Sequence, residues 1–152
     1  MNKRRVVVVL LTITLFLSGC IFGDEDNQFN GSDSPSPITD NVNDDLADIT
    51  IEYGNISWSK LKIYLGDDDT SADICYSSSQ DTSSDCIYDE DDDLYWTVGE
   101  TITIRENGKG LCNAGDNGGC NMTFIIKTIT PNGEEKLLQE IKQSVSLILK
   151  SI

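Results

Sequence analysis

Residues 96–105 read Trp-Thr-Val-Gly-Glu-Thr-Ile-Thr-Ile-Arg, and this stretch indicates the fold class of the chain. From Thr101 to Arg105, isoleucine alternates with polar residues, directly after a Gly-Glu pair. Alternation with a period of two is typical of a strand with one buried face, and glycine favours a turn before it. The stretch therefore predicts two strands joined by a tight turn.

Three further runs have the character of strands. Isoleucine and threonine alternate at 49–51, apolar and polar residues alternate at 61–65, and β-branched residues dominate 124–129. Gly, Asn, Asp and Ser lie between the runs, as expected for strands joined by turns. We therefore predict an all-β fold, a small disulfide-bonded antiparallel β-sandwich or barrel-like sheet over residues 47–152. About 105 residues suffice for one hydrophobic core.

The C-terminal segment fits two kinds of secondary structure. Six apolar residues lie on one face of a helix: Leu137, Ile141, Val145, Ile148, Leu149 and Ile152. Val145, Leu147 and Leu149 also alternate as in a strand, and Pro131-Asn132-Gly133 is a typical turn. We favour two strands joined by this turn, because the run before it needs a neighbouring strand. A terminal amphipathic helix is the alternative.

The first 20 residues have the order of a secretory signal. The basic cluster Lys3–Arg5 precedes the uncharged apolar run Val6–Leu17, and Leu17-Ser18-Gly19-Cys20 ends the segment. A basic start, a short apolar middle and small residues at the cut are typical of a signal peptide. The apolar run is too short for a membrane-spanning helix, which needs ~20 residues. Residues 1–19 are therefore predicted to be a lipoprotein signal peptide that is removed.

Leu17-Ser18-Gly19-Cys20 resembles the lipobox of prokaryotic lipoproteins. The resemblance implies that Cys20 is joined to lipid through a thioether and that the chain is cut before it. Two acyl chains hold a protein stably at a membrane, whereas one chain does not. The expected location is the cell membrane, with the lipid-anchored protein facing the outside. The alternative is an ordinary signal peptide followed by an incidental cysteine.

The segment after the predicted cut is polar and irregular. Asp24-Glu25-Asp26 and Ser34-Pro35-Ser36-Pro37 supply few apolar residues for a core. We predict that residues 20–46 form the lipidated cysteine and a disordered acidic tether, which lifts the β-domain off the membrane.

The composition restricts both the partners and the chemistry. Removal of residues 1–19 takes away three of the 11 basic residues and none of the 26 acidic ones, so the net charge changes from −15 to −18. Such a surface repels nucleic acid and anionic headgroups. The chain has no histidine, which excludes His-based triads and His zinc sites. We identify no catalytic residue and expect that the protein is not an enzyme.

Four cysteines remain when Cys20 is assigned to lipid: Cys75, Cys86, Cys112 and Cys120. Outside the cell they are expected to form disulfides. Of the three possible pairings we favour Cys75–Cys86 and Cys112–Cys120, because each closes a short polar loop. A zinc site of four thiolates is the alternative, but the usual CxxC spacing is missing.

The acidic run Asp89–Asp93 is the densest cluster of charge. Its carboxylates repel one another, and a calcium ion bound by Asp89, Asp91 and Asp93 would relieve that repulsion. The order of an EF-hand loop is absent, so a solvated acidic loop is the favoured interpretation.

Two further residue groups carry hypotheses about the surface. Asn30, Asn55 and Asn121 each begin an Asn-x-Ser/Thr triplet, the acceptor pattern for N-glycosylation. Tyr95 and Trp96 are adjacent, so in a strand their side chains face opposite ways. One of the two is then expected outside the core, where it would form part of a binding surface.

Two stretches resemble the soluble domain of archaeal type IV pilin-like secreted proteins. ITIEYGNISWSKLKIYL, residues 49–65, is similar to the start of that domain, and WTVGETITIREN, residues 96–107, is similar to a later strand. The resemblance implies a β-sandwich in a surface protein, with a disulfide loop at Cys112 and Cys120. Pilins keep their apolar segment as the filament core, whereas here the lipobox follows that segment. This departure argues against assembly into a filament.

Together these observations predict a membrane-tethered cell-surface lipoprotein with a non-catalytic interaction or structural domain. Its expected partners are membrane lipid at Cys20 and a surface protein or glycan, with nucleic acid excluded. No cofactor is expected, unless the acidic loop binds calcium. A pilin-like filament subunit and a calcium-dependent binding or adhesion module are the alternatives.

Overall fold

The computed structural model describes residues 27–36, 38–39, 41–66, 73–80, 83–90, 93–112 and 120–145. Within these ranges the secondary structure consists of strands and one 3₁₀ turn, Trp58–Lys60, and no α-helix is present. The strands are β1 (Gln28–Asp33), β2 (Asp45–Tyr53), β3 (Asn55–Ser57), β4 (Leu61–Gly66), β5 (Asp73–Ser77), β6 (Cys86–Tyr88), β7 (Tyr95–Thr97), β8 (Thr101–Glu106), β9 (Cys120–Ile129) and β10 (Glu135–Val145). The prediction of an all-β fold is confirmed.

Eight of these strands form one sheet, in the order β1-β2-β8-β6-β5-β4-β9-β10. Neighbours run antiparallel except for β5 and β6, which pair in parallel through Tyr76 with Ile87 and Ser77 with Tyr88. The two remaining strands, β3 and β7, form a separate antiparallel ribbon. The sheet is therefore mainly antiparallel, as the sequence predicts.

The sheet curls so that its first and last strands, β1 and β10, come into contact. A Cβ added at Gly31 of β1 would lie 2.5 Å from Cγ2 of Ile141 in β10, so the absence of a side chain permits this approach. The side chain of Gln139 in β10 also bonds to the backbone of Phe29 in β1. Because the two edges meet, the sheet encloses its inner face, as in a sandwich or barrel-like fold.

The enclosed core is built from alternate residues of the strands. In β8, Ile102, Ile104 and Glu106 are buried, whereas the residues between them are partly exposed. The largest fully buried apolar side chains are Trp96, Phe124, Leu46, Ile49, Ile51, Ile63, Ile104 and Ile126. Except for Leu46, these inward positions lie in the runs whose apolar residues indicate strands, so the strand predictions for those runs are confirmed.

The ordered domain begins earlier than the sequence predicts. The range 20–46 is predicted to be a disordered tether, but β1 occupies Gln28–Asp33 and pairs along its whole length with β2. Phe29 and Ile38 are buried in the core. The prediction of a disordered tether is therefore wrong for Gln28–Asp33. A polar strand needs few apolar residues when a neighbouring strand supplies its backbone hydrogen bonds.

Most of the C-terminal segment, Glu135–Val145, forms strand β10 and not a helix. It pairs with β9 from Glu135 opposite Ile129 to Val145 opposite Cys120. The turn between the two strands contains Gly133, which has a φ of 82°. The strand interpretation is confirmed for these residues, and the helix alternative is wrong there. Residues 146–152 lie outside the described part of the chain.

The predictions of a signal peptide and of lipidation at Cys20 concern residues outside the described part of the chain. They stay predictions. Among the residues that the structure does describe, no helix has the length and apolar character needed to cross a bilayer.

Candidate functional site at the tether end

Strand β1 begins at one end of the sheet, and the chain that leads back to Cys20 leaves the described domain there. We call this end the tether end. Gln28, the first residue of β1, lies opposite Tyr53, the last residue of β2. Asn27 packs against Gly54, where the absence of a Cβ leaves room for the Asn27 side chain. The N-terminal segment therefore leaves the domain beside the link from β2 to β3.

The turn after β7 lies at the same end. The N–H of Gly99 donates to the carbonyl of Ile51 at 2.8 Å, and the N–H of Ile51 donates to the carbonyl of Glu100 at 3.2 Å. The carboxylate of Glu100 accepts the N–H of Thr97 at 2.6 Å, which closes the turn. Residues 97–100 therefore run beside the end of β2.

Strand β10 also begins at the tether end. Gln139 lies beside Phe29, and Ile141 lies beside Gly31, so β1 and β10 run in the same direction. The first residues of β10, among them Leu137, consequently lie at the end where β1 begins. Strand β9 ends there and β4 begins there, because both pair in register with the strands beside them.

An aromatic stack fills the interior of the tether end. The ring of Trp96 lies 5.6 Å from that of Trp58 and 5.2 Å from that of Phe29, and Trp58 lies 6.2 Å from Tyr88. The indole N–H of Trp96 donates to the carbonyl of Glu100 at 3.0 Å. The packed rings give this end a rigid base, although among the described residues the buried indole N–H of Trp58 has no hydrogen-bond partner.

Five large apolar side chains are exposed on the outside of this end. We call them the tether-end surface: Tyr53, Leu94, Tyr95, Val98 and Leu137, with exposed fractions of 51%, 79%, 51%, 58% and 50%. Tyr95 faces away from the buried Trp96, which confirms that one of these two residues lies outside the core. Of the six large hydrophobic residues exposed in the described ranges, only Val42 lies elsewhere, bonded to Gly108 at the opposite end.

The two ends of the domain also differ in charge. The described charged residues nearest the tether end are Lys60, Lys62, Lys127, Lys136, Glu52, Asp93, Glu100, Glu134 and Glu135. Those nearest the opposite end are Arg105, Lys109, Lys142, Asp33, Asp44, Asp45, Asp73, Asp85 and Glu106. Basic and acidic groups are therefore nearly balanced at the tether end, whereas acidic groups predominate at the other.

The predicted calcium ligands are only partly described. Asp91 lies outside the described residues, and Asp93 is exposed. Asp89 accepts a hydrogen bond from the Ser78 hydroxyl at 2.5 Å and forms an ion pair with Arg105. The Ser78 bond first, and then Arg105, lower the pKa of Asp89. Within the described ranges no group of three or more His, Cys, Asp or Glu residues could hold a metal ion, and calcium binding stays a prediction.

Both favoured disulfides are present. Cys75 and Cys86 lie with Cα atoms 4.7 Å apart, and Cys112 and Cys120 lie with Cα atoms 5.8 Å apart. The first disulfide joins β5 to β6, and the second joins Cys112 to Cys120, the first residue of β9. The predicted pairing is confirmed.

Glu106 lies between the two disulfides and is only 1% exposed. It is the cross-strand partner of Cys86. One of its carboxylate oxygens accepts the N–H groups of Leu111 at 2.6 Å and Cys112 at 2.8 Å, and the other oxygen has no hydrogen-bond partner. Burial raises the pKa of Glu106. In the sequence, its only signal is an acidic residue at an inward position of β8.

The three predicted glycosylation sites all lie in strands. Asn30 is in β1, Asn55 is in β3 and Asn121 is in β9, and each side chain is exposed. The side-chain oxygen Oδ1 of Asn121 accepts a hydrogen bond from the Ser144 hydroxyl at 2.8 Å. Glycosylation at these positions stays a prediction.

Three members of the tether-end surface are not identified from the sequence as exposed residues. Leu137 is assigned to the apolar face of a possible helix, whereas in β10 it is half exposed. Leu94 carries no assignment, and Val98 is assigned only to the predicted strand before the Gly99-Glu100 turn. An apolar residue isolated in a polar stretch is the signal that would have identified Leu94.

Comparisons with known proteins identify no relative. No protein-family model matches the chain, and neither a curated protein nor a solved structure matches it.

Proposed function

We propose that the protein is a cell-surface lipoprotein, anchored through Cys20, whose closed β-domain acts as a non-catalytic interaction or coat module. The observation that carries the proposal is the short distance along the chain between the acylation motif and the fold. Cys20 follows a basic and apolar leader and precedes Gln28, the first residue of β1, by eight positions. Leader, acylation motif and domain therefore follow one another directly.

The shifted acidic groups support a non-catalytic role. Asp89 is bonded to Ser78, Glu106 holds the loop before Cys112, and Glu135 accepts a hydrogen bond from Tyr64 at 2.5 Å. Each of these carboxyl groups thus stabilises a contact within the fold. A catalytic acid instead needs an apolar setting that faces the substrate.

The closure of the sheet supports a role outside the cell. Two disulfides and the contact between β1 and β10 restrain a small domain that works without cytoplasmic chaperones. An exposed sheet edge promotes pairing with other chains, and a sheet whose edges meet avoids that risk. Such a domain suits a protein that covers or contacts a cell surface.

The first test is the intact mass of the protein purified from the membranes of its own host. We expect a chain that begins at Cys20, with added lipid and with four hydrogens lost to two disulfides. A mass that retains Val6–Leu17 would contradict the proposal. It would favour the pilin-like alternative, in which that apolar segment is kept.

The second test replaces the acylated residue. We expect Cys20→Ser to move the protein from the membrane fraction to the soluble fraction. Serine has no thiol to form the thioether, so the mature chain would carry no lipid. Ser32→Ala, at an exposed position in β1, is the matched control and is expected to stay in the membrane fraction. Retention of Cys20→Ser in washed membranes would refute lipid anchoring.

A further inference from the structure

We propose that the tether-end surface docks on the lipid bilayer that holds the anchor, so that the domain lies on the membrane with a fixed orientation. This inference rests on the proposed lipidation of Cys20. The occupant of the surface is the boundary between the lipid headgroups and the acyl chains.

The length of the linking segment carries the first step of the argument. Asn27 follows Cys20 by seven positions, and an extended chain spans at most ~3.3–3.6 Å per position, which gives about 25 Å. Asn27 packs against Gly54 at the tether end. Whatever the conformation of residues 21–26, the tether end therefore stays within about 25 Å of the anchored cysteine.

The chemistry of the surface carries the second step. Five of the six large hydrophobic side chains exposed in the described residues belong to the end that the anchor holds near the bilayer. Tyrosine is enriched at the headgroup level of membranes, because its ring is apolar and its hydroxyl is polar. Tyr53 and Tyr95 provide two such rings, and Leu94 and Val98 provide aliphatic groups that reach the acyl chains.

The distribution of charge carries the third step. Lys60, Lys62, Lys127 and Lys136 are four of the eight basic residues that follow residue 19, and they lie in the half of the sheet nearest the tether end. The opposite end is acidic, so an anionic bilayer repels it more strongly. Among the described residues of the tether end, acidic and basic groups nearly cancel, and the linking segment adds only the acidic Asp24, Glu25 and Asp26, so no excess of basic groups holds this end to an anionic surface. The contact is therefore apolar, and salt should weaken it little.

The anchor makes a weak contact sufficient. A surface held near its target by a short linker meets it at a high effective concentration, so a few inserted side chains can hold an orientation. In the same way, a single lipid chain binds a membrane only weakly, whereas a lipid chain together with a second membrane contact binds stably. The anchor holds the protein, and the tether-end surface orients the domain.

The test uses the full lipidated protein in vesicles of zwitterionic phospholipid, with and without bromine on the acyl chains. Leu94→Trp places an indole in the tether-end surface, and Val42→Trp places one at the opposite end. Both positions are exposed, and both variants retain the buried Trp58 and Trp96. Unchanged unfolding midpoints establish that each variant is folded.

The native protein gives the fluorescence of Trp58 and Trp96 alone. We expect brominated vesicles to reduce the additional fluorescence of Leu94→Trp about twofold and to leave the additional fluorescence of Val42→Trp nearly unchanged, also in high salt. Equal quenching of the two variants, while both float with the vesicles, overturns the docking proposal and leaves the anchor intact. Failure of the native protein to float with vesicles overturns both proposals. Fluorescence of Leu94→Trp that depends on protein density but not on bromine overturns lipid docking in favour of contact between copies.

Discussion

The side-chain amide of Gln139 makes two hydrogen bonds to the backbone of Phe29, which lies 110 residues earlier in the chain. The N–H of Phe29 donates to Oε1 of Gln139 at 2.9 Å, and Nε2 of Gln139 donates to the carbonyl of Phe29 at 2.6 Å. The amide thereby replaces the peptide group of a neighbouring strand. A bulge between Leu137 and Gln139 accompanies this contact and helps to join β10 to β1.

Replacement of Gln139 by alanine is expected to reduce the free energy of unfolding by about 1–3 kcal/mol, because both polar groups of Phe29 lose their partner. Gln143→Ala is the matched control in the same strand, since the Gln143 amide bonds only to the carbonyl of the adjacent Ser144. Urea denaturation measures both variants. Equal losses of unfolding free energy in the two variants would show that the contact between β1 and β10 does not depend on Gln139.

Gly31→Ala tests the close approach of β1 to β10. The new Cβ would lie 2.5 Å from Cγ2 of Ile141, so one strand must shift. We expect a loss of about 1–3 kcal/mol, as for other overpacked sites. Ser32→Ala, at the next and exposed position, should change stability little. Because Ile141→Ala removes the clashing atom, the double variant should lose less than the sum of the two single losses, and strict additivity would contradict this geometry.

Glu106 is expected to make the stability depend on pH. Burial raises its pKa above the usual 4.5, so the folded protein binds this proton more tightly than the unfolded chain does. The contribution of this proton to the free energy of unfolding is fully present below the usual pKa of a glutamate. It is lost as pH rises through the pKa that Glu106 has in the folded protein. Glu106→Gln stays neutral and keeps an acceptor for the N–H groups of Leu111 and Cys112.

The free energy of unfolding of the native protein, relative to Glu106→Gln, should therefore fall as pH rises above the usual pKa of 4.5. Urea denaturation of both proteins at a series of pH values measures this difference. Other carboxyl groups titrate in both proteins and cancel in the comparison. A difference that stays constant, or that rises with pH, would contradict the raised pKa.

The two disulfides should contribute unequally. They close chain separations of 11 and 8 residues, for which loss of chain entropy alone gives about 3 kcal/mol each. The Cys75–Cys86 disulfide also links β5, where Cys75 pairs with Ile63, to β6, where Cys86 pairs with Glu106. We expect the double alanine variant of this pair to lower the thermal midpoint more than that of Cys112 and Cys120. The reverse order would show that the link between β5 and β6 adds nothing.

Tyr64 is expected to ionise only in strong alkali. Its hydroxyl donates to Glu135 at 2.5 Å, and this bond is the main cause that raises the pKa of Tyr64 to about 12. Glu135→Gln should lower that pKa towards the usual 10.0, as measured by the absorbance of tyrosinate during titration. The stability from this bond is present below the usual pKa and is lost as pH rises through about 12. Titration of Tyr64 at its usual pKa in the native protein would contradict the bond.

Local pattern in the sequence was sufficient for β2, β4, β8 and β9 and for the disulfides. Isoleucine alternates with threonine at 101–104, and Ile102 and Ile104 are both buried. Side chains of a strand alternate between faces whatever the strand packs against, so such a pattern predicts burial from neighbours alone. The disulfides followed the same logic, because Cys75–Cys86 and Cys112–Cys120 each close a short loop.

Contacts distant in sequence decided the rest. Nothing near Gln28–Asp33 marks it as a strand, because its partners lie in β2 and β10 and its single large apolar residue is Phe29. Glu106 is buried because a loop folds over it, and Leu137 is exposed because β10 begins at the tether end. The chain pattern thus specifies which residues favour the core. The order of the strands, the contact between β1 and β10 and the tether-end surface arise only when distant segments meet and exclude water together.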